Sequence, residues 1–178
     1  MDILSDIANA VLPQDVVSKV ESKRAVAVLR GTAVFGTVWL TQKAEGEETE
    51  FEGEIKGLSP GLHGFHIHQY GDSTDGCTSA GPHFNPCKMN HGGRDSVVRH
   101  VGDLGNVEAG ADGVAKIKFS DKVVSLFGAN TVIGRSMVVH VDRDDLGQGI
   151  DDKAEESLKT GNAGARAACG VIALAAPA

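Results

Sequence analysis

Histidines are concentrated in one part of this chain. Six of the seven lie in residues 63–103, and the seventh is His140. Imidazole nitrogens are common metal ligands, so this clustering predicts a metal site. In residues 64–69, apolar and imidazole side chains alternate with the two-residue period of a β-strand. His66 and His68 therefore project from one face, about 7 Å apart, where both rings can bind one ion.

The residues that follow are irregular and carry a second group of candidate ligands. Residues 70–76 and 79–82 are rich in glycine, serine, proline and aspartate, which favour turns. A loop of about 35 residues is unusual in a compact domain unless something such as a metal ion orders it. Three imidazoles and one carboxylate form a four-coordinate set that suits structural zinc. These candidates are His83, His91, His100 and Asp103.

Taken singly, a histidine in such a loop is more often a surface or hydrogen-bonded residue than a ligand. The joint pattern is an H-x-H on a strand, followed by H-x7-H-x8-H-x2-D. Chance rarely produces that combination, so it favours metal binding. His63 lies outside the pattern, and we expect it to have a hydrogen-bonding structural role.

These residues lie in longer motifs that resemble those of the eukaryotic copper/zinc superoxide dismutases. The motifs are residues 66–72, 76–86, 100–106 and 161–166, and the similarity runs from about Arg24 to Ala175. The resemblance implies an all-β fold, an eight-stranded Greek-key flattened barrel with two long functional loops. These enzymes are a known example of the immunoglobulin-like sandwich architecture.

The resemblance also implies the reaction and the metal ligands. Superoxide would be converted to dioxygen and hydrogen peroxide as copper is alternately reduced and oxidised. The implied copper ligands are His66, His68, His83 and His140, and the implied zinc ligands are His83, His91, His100 and Asp103. His83 would then bridge the two metals as an imidazolate, which exposes a lone pair on each ring nitrogen. The same ring would supply a proton close to the reacting oxygen.

Three further roles outside the metal ligands follow from the resemblance. Asp144 would accept hydrogen bonds from one copper imidazole and one zinc imidazole, which fixes the ring orientations. Arg166 would be the active-site arginine that binds the anion, although an arginine by default pairs with a surface acid. The implied substrate-guidance residues are Glu155, Glu156 and Lys159. Residues 142–159 are otherwise expected to be a solvated, charge-rich loop.

The chain has three cysteines, Cys77, Cys87 and Cys169. The resemblance implies a disulfide between Cys77 and Cys169, which would tie the metal loop to the last strand. A disulfide between Cys77 and Cys87 is the alternative that the sequence leaves open. In the first case, Cys87 is expected to be a free, partly shielded thiol rather than a zinc ligand.

The elements that must position these groups are predicted to be β-strands. The predicted strands are residues 25–29, 34–41, 50–56, 64–69, 104–107, 114–120, 136–141 and 168–174, each bounded by Gly, Pro, Asn or Asp. Residues 115–119 alternate apolar with charged side chains, which is typical of a sheet with one solvated face. Eight such strands predict a sandwich or flattened barrel.

We predict one dismutase domain at residues 24–178, preceded by an extension at residues 1–23. Apolar residues between Ile3 and Leu12 follow helical spacing, which predicts a short amphipathic helix. The extension is either a loosely docked tail or a helix that contacts the barrel or another subunit. Two departures from the family lie in the loops. There are about three extra residues between Gly149 and Glu155, and Gly92-Gly93-Arg94 stands where family members commonly have proline, which is expected to loosen the zinc loop slightly.

Composition limits the classes of partner. The 178 residues carry a net charge of −7, which argues against nucleic acid, and no apolar run is long enough to span a membrane. An acidic protein can still focus positive potential in one channel, and superoxide dismutase is an established example. The absence of a recognisable signal peptide and of an N-x-[ST] sequon favours a cytoplasmic location. The resemblance implies a homodimer that a copper chaperone loads.

Two other functions compete with the dismutase. A dinuclear metallohydrolase would hold its metals roughly 3.5 to 4 Å apart through oxygen bridges, which an imidazole bridge does not allow. A metal-binding or chaperone-related domain would keep the fold without turnover. Against it, the chain keeps every implied copper ligand and Arg166, and it has no C-x-x-C motif.

Overall fold

The computed structural model describes residues 22–176. The strands are Lys23–Arg30 (β1), Phe35–Gln42 (β2), Thr49–Lys56 (β3), Gly61–His68 (β4), Asp103–Ala109 (β5), Val114–Asp121 (β6), Ser136–His140 (β7) and Arg166–Leu174 (β8), and one α-helix spans Ala154–Thr160 (α1). All eight predicted strands are confirmed, with small differences at their ends. The helix was not predicted, because the charged run of residues 142–159 indicates only a loop.

The strands form one closed barrel. Their order around the barrel is β1-β2-β3-β6-β5-β4-β7-β8, and β8 pairs with β1 to close it. Every neighbouring pair is antiparallel. The chain crosses from β3 to β4 and from β6 to β7 without pairing those strands, which gives the Greek-key connection. The predicted fold class is therefore confirmed.

Two-residue alternation separates the core from the solvent. In β6, Ala115 and Ile117 are fully buried, whereas Lys116 and Lys118 are exposed. The same period on the other strands fills the barrel with aliphatic and phenylalanine side chains, of which Phe51 and Phe65 are among the largest. Burying a side chain of this size stabilises the fold by about 1.5–3 kcal/mol relative to leaving it exposed.

The strand that carries the first two histidines is buried on both of its faces. Phe65 and Ile67 point into the barrel core, and His66 and His68 point outward but are no more than 2% exposed. Phe65 pairs with Val139 of β7, so both side chains point into the barrel core. His140 follows Val139 and therefore projects from the outer face. The outer face is covered by the two long loops, residues 69–102 and 141–165. The barrel therefore presents three imidazoles to a space that these loops close.

A disulfide between Cys77 and Cys169 ties the first of these loops to β8, across 92 positions of sequence. The alternative pairing of Cys77 with Cys87 is thus excluded. By loop-closure entropy, such a bridge stabilises the fold by about 4–5 kcal/mol, although strain changes this value. Cys87 is a free cysteine, as expected, but it is exposed, so the prediction of a partly shielded thiol is wrong.

The extension predicted at residues 1–23, with its amphipathic helix, lies outside the described residues except for its last two positions. Lys23 already belongs to β1, so the barrel begins one residue before the predicted domain boundary. In the described part of the chain, no helix has the length and apolar character needed to cross a membrane.

Candidate metal centre

Four imidazoles from three parts of the fold meet on the outer face of β4. They are His66 and His68 of β4, His83 of the first long loop and His140 of β7, and their candidate ligand atoms all lie within 4.8 Å of one another. The closest approach is 3.3 Å, between Nε2 of His68 and Nε2 of His140. Two nitrogens that bind one ion at about 2.0–2.1 Å lie no more than about 4 Å apart. This first cluster can therefore share one metal ion.

Hydrogen bonds fix which nitrogen of each ring faces that cluster. Nδ1 of His68 donates to the carbonyl of Gly81 at 2.7 Å, and Nδ1 of His140 donates to the carbonyl of Gly164 at 3.0 Å. Nε2 of His66 donates to Asp144 at 2.8 Å. A neutral imidazole that donates from one nitrogen keeps its lone pair on the other. The lone pairs left for a metal are therefore Nε2 of His68 and of His140, and Nδ1 of His66.

The second cluster consists of a carboxylate surrounded by three imidazoles. Oδ1 of Asp103 lies 2.9 Å from Nδ1 of His83, 3.0 Å from Nδ1 of His91 and 3.1 Å from Nδ1 of His100. Ligands on a tetrahedral zinc ion at about 2.0–2.1 Å are separated by about 3.3 Å. The observed spacings, including 3.4 Å between Nδ1 of His83 and Nδ1 of His100, fit that set.

His83 belongs to both clusters. Its Nδ1 lies in the second cluster, so Nε2 is the only ring nitrogen left for the first. The ring centroid is 4.0 Å from that of His66 and 5.0 Å from that of His68. One imidazole is thus placed to bridge two ions.

Two atoms at the centre support metal binding. Among the described residues, His66 Nδ1 and His91 Nδ1 are the buried side-chain atoms that have no hydrogen-bond partner. His91 Nδ1 lies 3.0 Å from Asp103 Oδ1, but the contact lacks hydrogen-bond geometry. A buried nitrogen without a partner costs about 1–3 kcal/mol, and a metal bond removes that cost. The residues therefore fit both ions.

Asp144 connects the two clusters. It is fully buried, and its two oxygens accept hydrogen bonds of 2.8 Å from Nε2 of His66 and from Nε2 of His91. Asn106 holds it in place through two bonds to its backbone, which sequence reasoning missed. The clue was available in the Gly105-Asn106 pair that ends one of the motifs, but an amide does not suggest metal chemistry by its type. One carboxylate therefore orients a ligand of each cluster.

The loop that carries the second cluster has two anchors that were not predicted. Arg99 is buried in an ion pair with Asp121 of β6, at 2.7 Å, and donates to loop carbonyls that include that of His100. Arg94 lies 4.5 Å above the ring of Phe119 in a cation–π contact. Arg94, in the stretch that was expected to loosen the loop, therefore gives the loop a contact with the barrel.

Burial sets the protonation state of most of the imidazoles. It lowers the pKa of His66 and His68 well below the ordinary value, lowers that of His83, and lowers that of His140 to about 4. Neighbouring imidazoles add to the effect. These rings are therefore neutral near pH 7, which is the form that binds a metal.

His91 of the second cluster has a raised pKa while no metal is bound. Burial opposes charge on His91, but Asp103 and Asp144 outweigh it and raise the pKa of His91 to about 9. Burial likewise opposes ionisation of Asp103, but hydrogen bonds from His100 and His83 and the nearby charge of His91 hold its pKa below the ordinary value. The carboxylate is thus ready to bind a cation at any pH near neutrality.

An open channel of about 630 Å³ reaches the first cluster from solvent. The side chains that line it include His68, His83, His140, Glu156, Lys159 and Arg166. Its walls therefore contain both candidate metal ligands and charged groups.

Arg166 reaches the channel from the start of β8 and does not pair with a surface acid. Its guanidinium donates to the carbonyls of Cys77, Thr78 and Gly81, of which the last is 2.6 Å away. The carbonyl of Gly81 also accepts the bond from His68. The backbone here requires glycine, because φ is 74° and a β-carbon would lie 2.7 Å from the ring of Tyr70. A single carbonyl thus positions a candidate metal ligand, His68, and the arginine.

The candidate guidance residues lie on α1. Lys159 pairs with Glu155 at 2.6 Å, whereas Glu156 bonds Thr160 at 2.8 Å and lines the channel beside Lys159. The two aspartates of the longer loop, Asp151 and Asp152, form a 3-10 turn with Lys153 and do not line the channel. The extra acid therefore lies away from the channel wall.

His63 takes the structural role expected of it. It is buried, and its Nδ1 donates to the carbonyl of His140 at 2.9 Å, while Nε2 lies 2.8 Å from the carbonyl of Ser59. It thus links the start of β4 to the end of β7 beside the first cluster.

Comparison with known proteins gives one consistent family. A model of the copper/zinc superoxide dismutase (SODC) family matches residues 34–172. A superoxide dismutase [Cu-Zn] of Onchocerca volvulus is 62% identical over 155 residues, which is 87% of this chain and 98% of that protein. An extracellular superoxide dismutase [Cu-Zn] of Brugia pahangi is 59% identical, covering 85% of this chain and 76% of its own length. A superoxide dismutase [Cu-Zn] of Schizosaccharomyces pombe is 56% identical, over 85% of this chain and 98% of that protein.

Proposed function

The chain belongs to the copper/zinc superoxide dismutase family, and from that premise we propose which of its residues hold each metal, bind the substrate and move the proton. Its reaction converts two superoxide anions and two protons into dioxygen and hydrogen peroxide, with copper and zinc as cofactors. When bound, copper supplies one-electron redox chemistry, and zinc, which is redox-inactive, supplies fixed positive charge.

The proposed copper ligands are the first cluster, His66, His68, His83 and His140, and the proposed zinc ligands are His83, His91, His100 and Asp103. The observation that carries this assignment is that two four-donor clusters share one imidazole. The orientation of each ring, set by its other nitrogen, supports it. Asp144 is proposed to keep a ring of each set aligned.

Arg166 is proposed to bind superoxide at the bottom of the channel. Three of the five N–H groups of a guanidinium are directed at loop carbonyls, which leaves two for the anion. The positive charge is partly buried, so it is screened less than a surface charge. Lys159 and Glu156 are proposed to shape the approach of the anion. The ion pair with Glu155 offsets part of the positive potential of Lys159.

His83 is proposed to hold and deliver one proton at Nε2. The ring lines the channel, so this nitrogen is close to the place where the substrate binds. Burial lowers the pKa of His83, so a proton held there is readily given up to a more basic oxygen. The other nitrogen stays directed at Asp103 and keeps the ring in position.

Metal analysis together with a superoxide assay tests this function. Protein reconstituted with copper and zinc is expected to bind one ion of each per chain and to remove superoxide. His140→Ala removes a ligand of the first cluster alone, so we expect it to lose copper and activity while retaining zinc. Loss of zinc without loss of copper in this variant would contradict the assignment.

Charge reversal at Arg166 is expected to slow the enzyme. Arg166→Glu places an acid where the anion binds, and we expect a fall of about 10- to 100-fold in kcat/KM, which lies within the roughly 10- to 1,000-fold that charged clefts contribute to association. The inhibitory effect of added salt should also weaken or reverse. Arg166→Lys, which keeps the charge without the planar fork, is expected to retain more activity than the glutamate variant. A rate unchanged in Arg166→Glu would remove this residue from the mechanism.

We propose that the protein is a homodimer in the cytoplasm and that a copper chaperone loads it. Exposed apolar side chains on the outer faces of β1 and β8, Val28 and Val171, support a covered face. The copper ligands are at most 5% exposed, which supports assisted loading. An exposed free thiol at Cys87 is most easily kept reduced in the cytosol. Sedimentation tests the homodimer, and cell fractionation tests the cytoplasmic location.

A further inference from the structure

Three backbone hydrogen bonds form a closed ring among the segments that carry candidate ligands. The amide of Ile67 donates to the carbonyl of Gly102 at 2.8 Å, and the amide of Gly102 donates to the carbonyl of Phe84 at 3.0 Å. The amide of Phe84 donates back to the carbonyl of Ile67 at 2.8 Å. Each of the three residues is adjacent in sequence to at least one candidate ligand, and these neighbours are His66, His68, His83 and Asp103. The ring therefore ties together three ligand-bearing segments.

Arg135, which lies just before β7, stacks on one member of this ring. Its guanidinium carbon Cζ is 3.4 Å from the centre of the Phe84 ring, and Phe84 is only 2% exposed. Nη1 of the same guanidinium donates to the carbonyl of Gln69 at 2.9 Å, and Nε donates to the carbonyl of Thr131 at 3.0 Å. A planar guanidinium can stack on a ring and donate in its own plane at the same time. The partners of this arginine are therefore a ring and two carbonyls rather than a carboxylate.

Through these contacts Arg135 touches the residue that follows each of two candidate copper ligands. Gln69 follows His68, and Phe84 follows His83. The amide of Gln69 also donates to the carbonyl of the residue before His83, at 2.8 Å, and His68 and His83 form an isolated antiparallel bridge. The centroids of these two imidazoles are 5.0 Å apart. One side chain outside both clusters thus joins the two chain segments whose separation sets that spacing.

We propose that Arg135 is a positioning residue for copper binding, which acts through Gln69 and Phe84 on the spacing of His68 and His83. A residue that orients ligands raises metal affinity, because the ion then finds its donors already in place. His83 is one of four donors in the second cluster, whereas both imidazoles belong to the first, so zinc depends on Arg135 less than copper does. This inference rests on the proposed copper ligands, which metal analysis of the reconstituted protein tests separately.

Copper binding by Arg135→Leu tests the proposal with readouts other than activity. The substitution releases the Gln69 carbonyl and the Phe84 ring, and leucine keeps part of the apolar volume beside that ring. In the zinc-loaded full chain, below the melting temperature, we expect the affinity for copper to fall about tenfold, the lower end of the cost of losing a residue that orients a ligand. Competition with a chelator measures this affinity. The affinity for zinc should fall less.

The EPR spectrum of bound Cu(II) gives a second readout, because it depends on the geometry of the donors. We expect the spectrum of Arg135→Leu to differ from that of the parent protein. Arg135→Lys keeps the charge and a donor but has no planar group to stack on Phe84. Its copper affinity should therefore lie between those of the parent and of Arg135→Leu.

Arg24→Leu is the matched control. Arg24 is also half-buried and stacks on an aromatic ring, with Cζ 3.9 Å from the centre of the Trp39 ring. This contact joins β1 to β2, and neither residue is adjacent to a candidate ligand. The variant loses the same charge and the same kind of contact. We therefore expect its melting temperature to fall while its copper affinity and EPR spectrum match those of the parent.

A purely structural role for Arg135 predicts a different result. Arg135→Leu would then have a lower melting temperature with the parental copper affinity and EPR spectrum, and that result would overturn the proposal. An equal loss of copper affinity in Arg24→Leu would also overturn it. If Arg135→Leu did not fold, the same two measurements on Arg135→Lys would decide in the same way. A parent protein that bound no copper would overturn the proposed function and this inference with it, whereas normal binding in the parent and in both Arg135 variants would overturn the positioning role alone.

Discussion

Replacing His83 with alanine is expected to abolish dismutase activity and to weaken the binding of both metals. The ring contributes Nδ1 to one cluster and is the only imidazole that the two four-donor clusters share. We expect a loss of at least about 100-fold in affinity for each ion, since even removing a residue that merely orients a ligand costs 10- to 100-fold. Elemental analysis after dialysis against a chelator, together with a superoxide assay, measures both effects.

His63→Ala is the control for this prediction. His63 is also a buried imidazole near the first cluster, but its hydrogen bonds go to backbone carbonyls and it belongs to neither cluster. Its removal should lower the melting temperature while copper and zinc remain bound. Retention of either metal at parental affinity in His83→Ala would mean that the shared imidazole is not the bridge.

The metal-free protein is expected to be most stable near pH 6.5 and to lose stability on both sides. On the acid side, His140 has a folded pKa of about 4, so the unfolded chain takes up more protons between pH 6.5 and pH 4. That ring alone removes about 3 kcal/mol over the interval. The lowered pKa values of His66, His68 and His83 act with the same sign.

On the alkaline side the sign is reversed. The pKa of His91 is raised to about 9 in the fold, so its stabilising charge is fully present below pH 6.5 and is lost as the pH rises to about 9. This loss is also about 3 kcal/mol. Denaturant unfolding of the metal-free chain from pH 4 to pH 9 measures the free energy of unfolding and locates its maximum. A profile that rises without a maximum from pH 4 to pH 9 would contradict these pKa values.

The metal-loaded protein serves as the comparison. Bound ions occupy the same nitrogens, so protonation must compete with them and the profile should be flatter above about pH 5. An identical pH profile for the two forms would mean that these imidazoles do not hold the metals.

The strands could be predicted because the two-residue period is a short-range signal, and in residues 64–69 it assigns His66 and His68 to one face. The spacing of the other candidate ligands is also visible in the sequence, and the structure brings the candidates together in two clusters. The helix α1 has no such signal, since Ser157 is its only buried residue and hydrophobic periodicity cannot detect it. Its buried hydroxyl instead bonds to Asp145 and to the backbone of Gly149.

Features that depend on packing between distant segments were not predictable from residue type. The exposure of Cys87 is set by how its loop lies on the barrel, and the sequence around it gives no measure of that. The clamp of Asn106 on Asp144 joins positions 38 apart in sequence. The cation–π contact of Arg94 likewise depends on Phe119 of another strand.

The shared acceptor at Gly81 limits how this enzyme can evolve. Its carbonyl receives one bond from the ring of His68 and another from the guanidinium of Arg166. A substitution that shifts this peptide would alter substrate capture and metal orientation together, so neither trait can be selected independently there. We therefore expect adaptive changes in catalytic rate to accumulate on α1, where Glu156 and Lys159 line the channel and belong to neither cluster of candidate ligands.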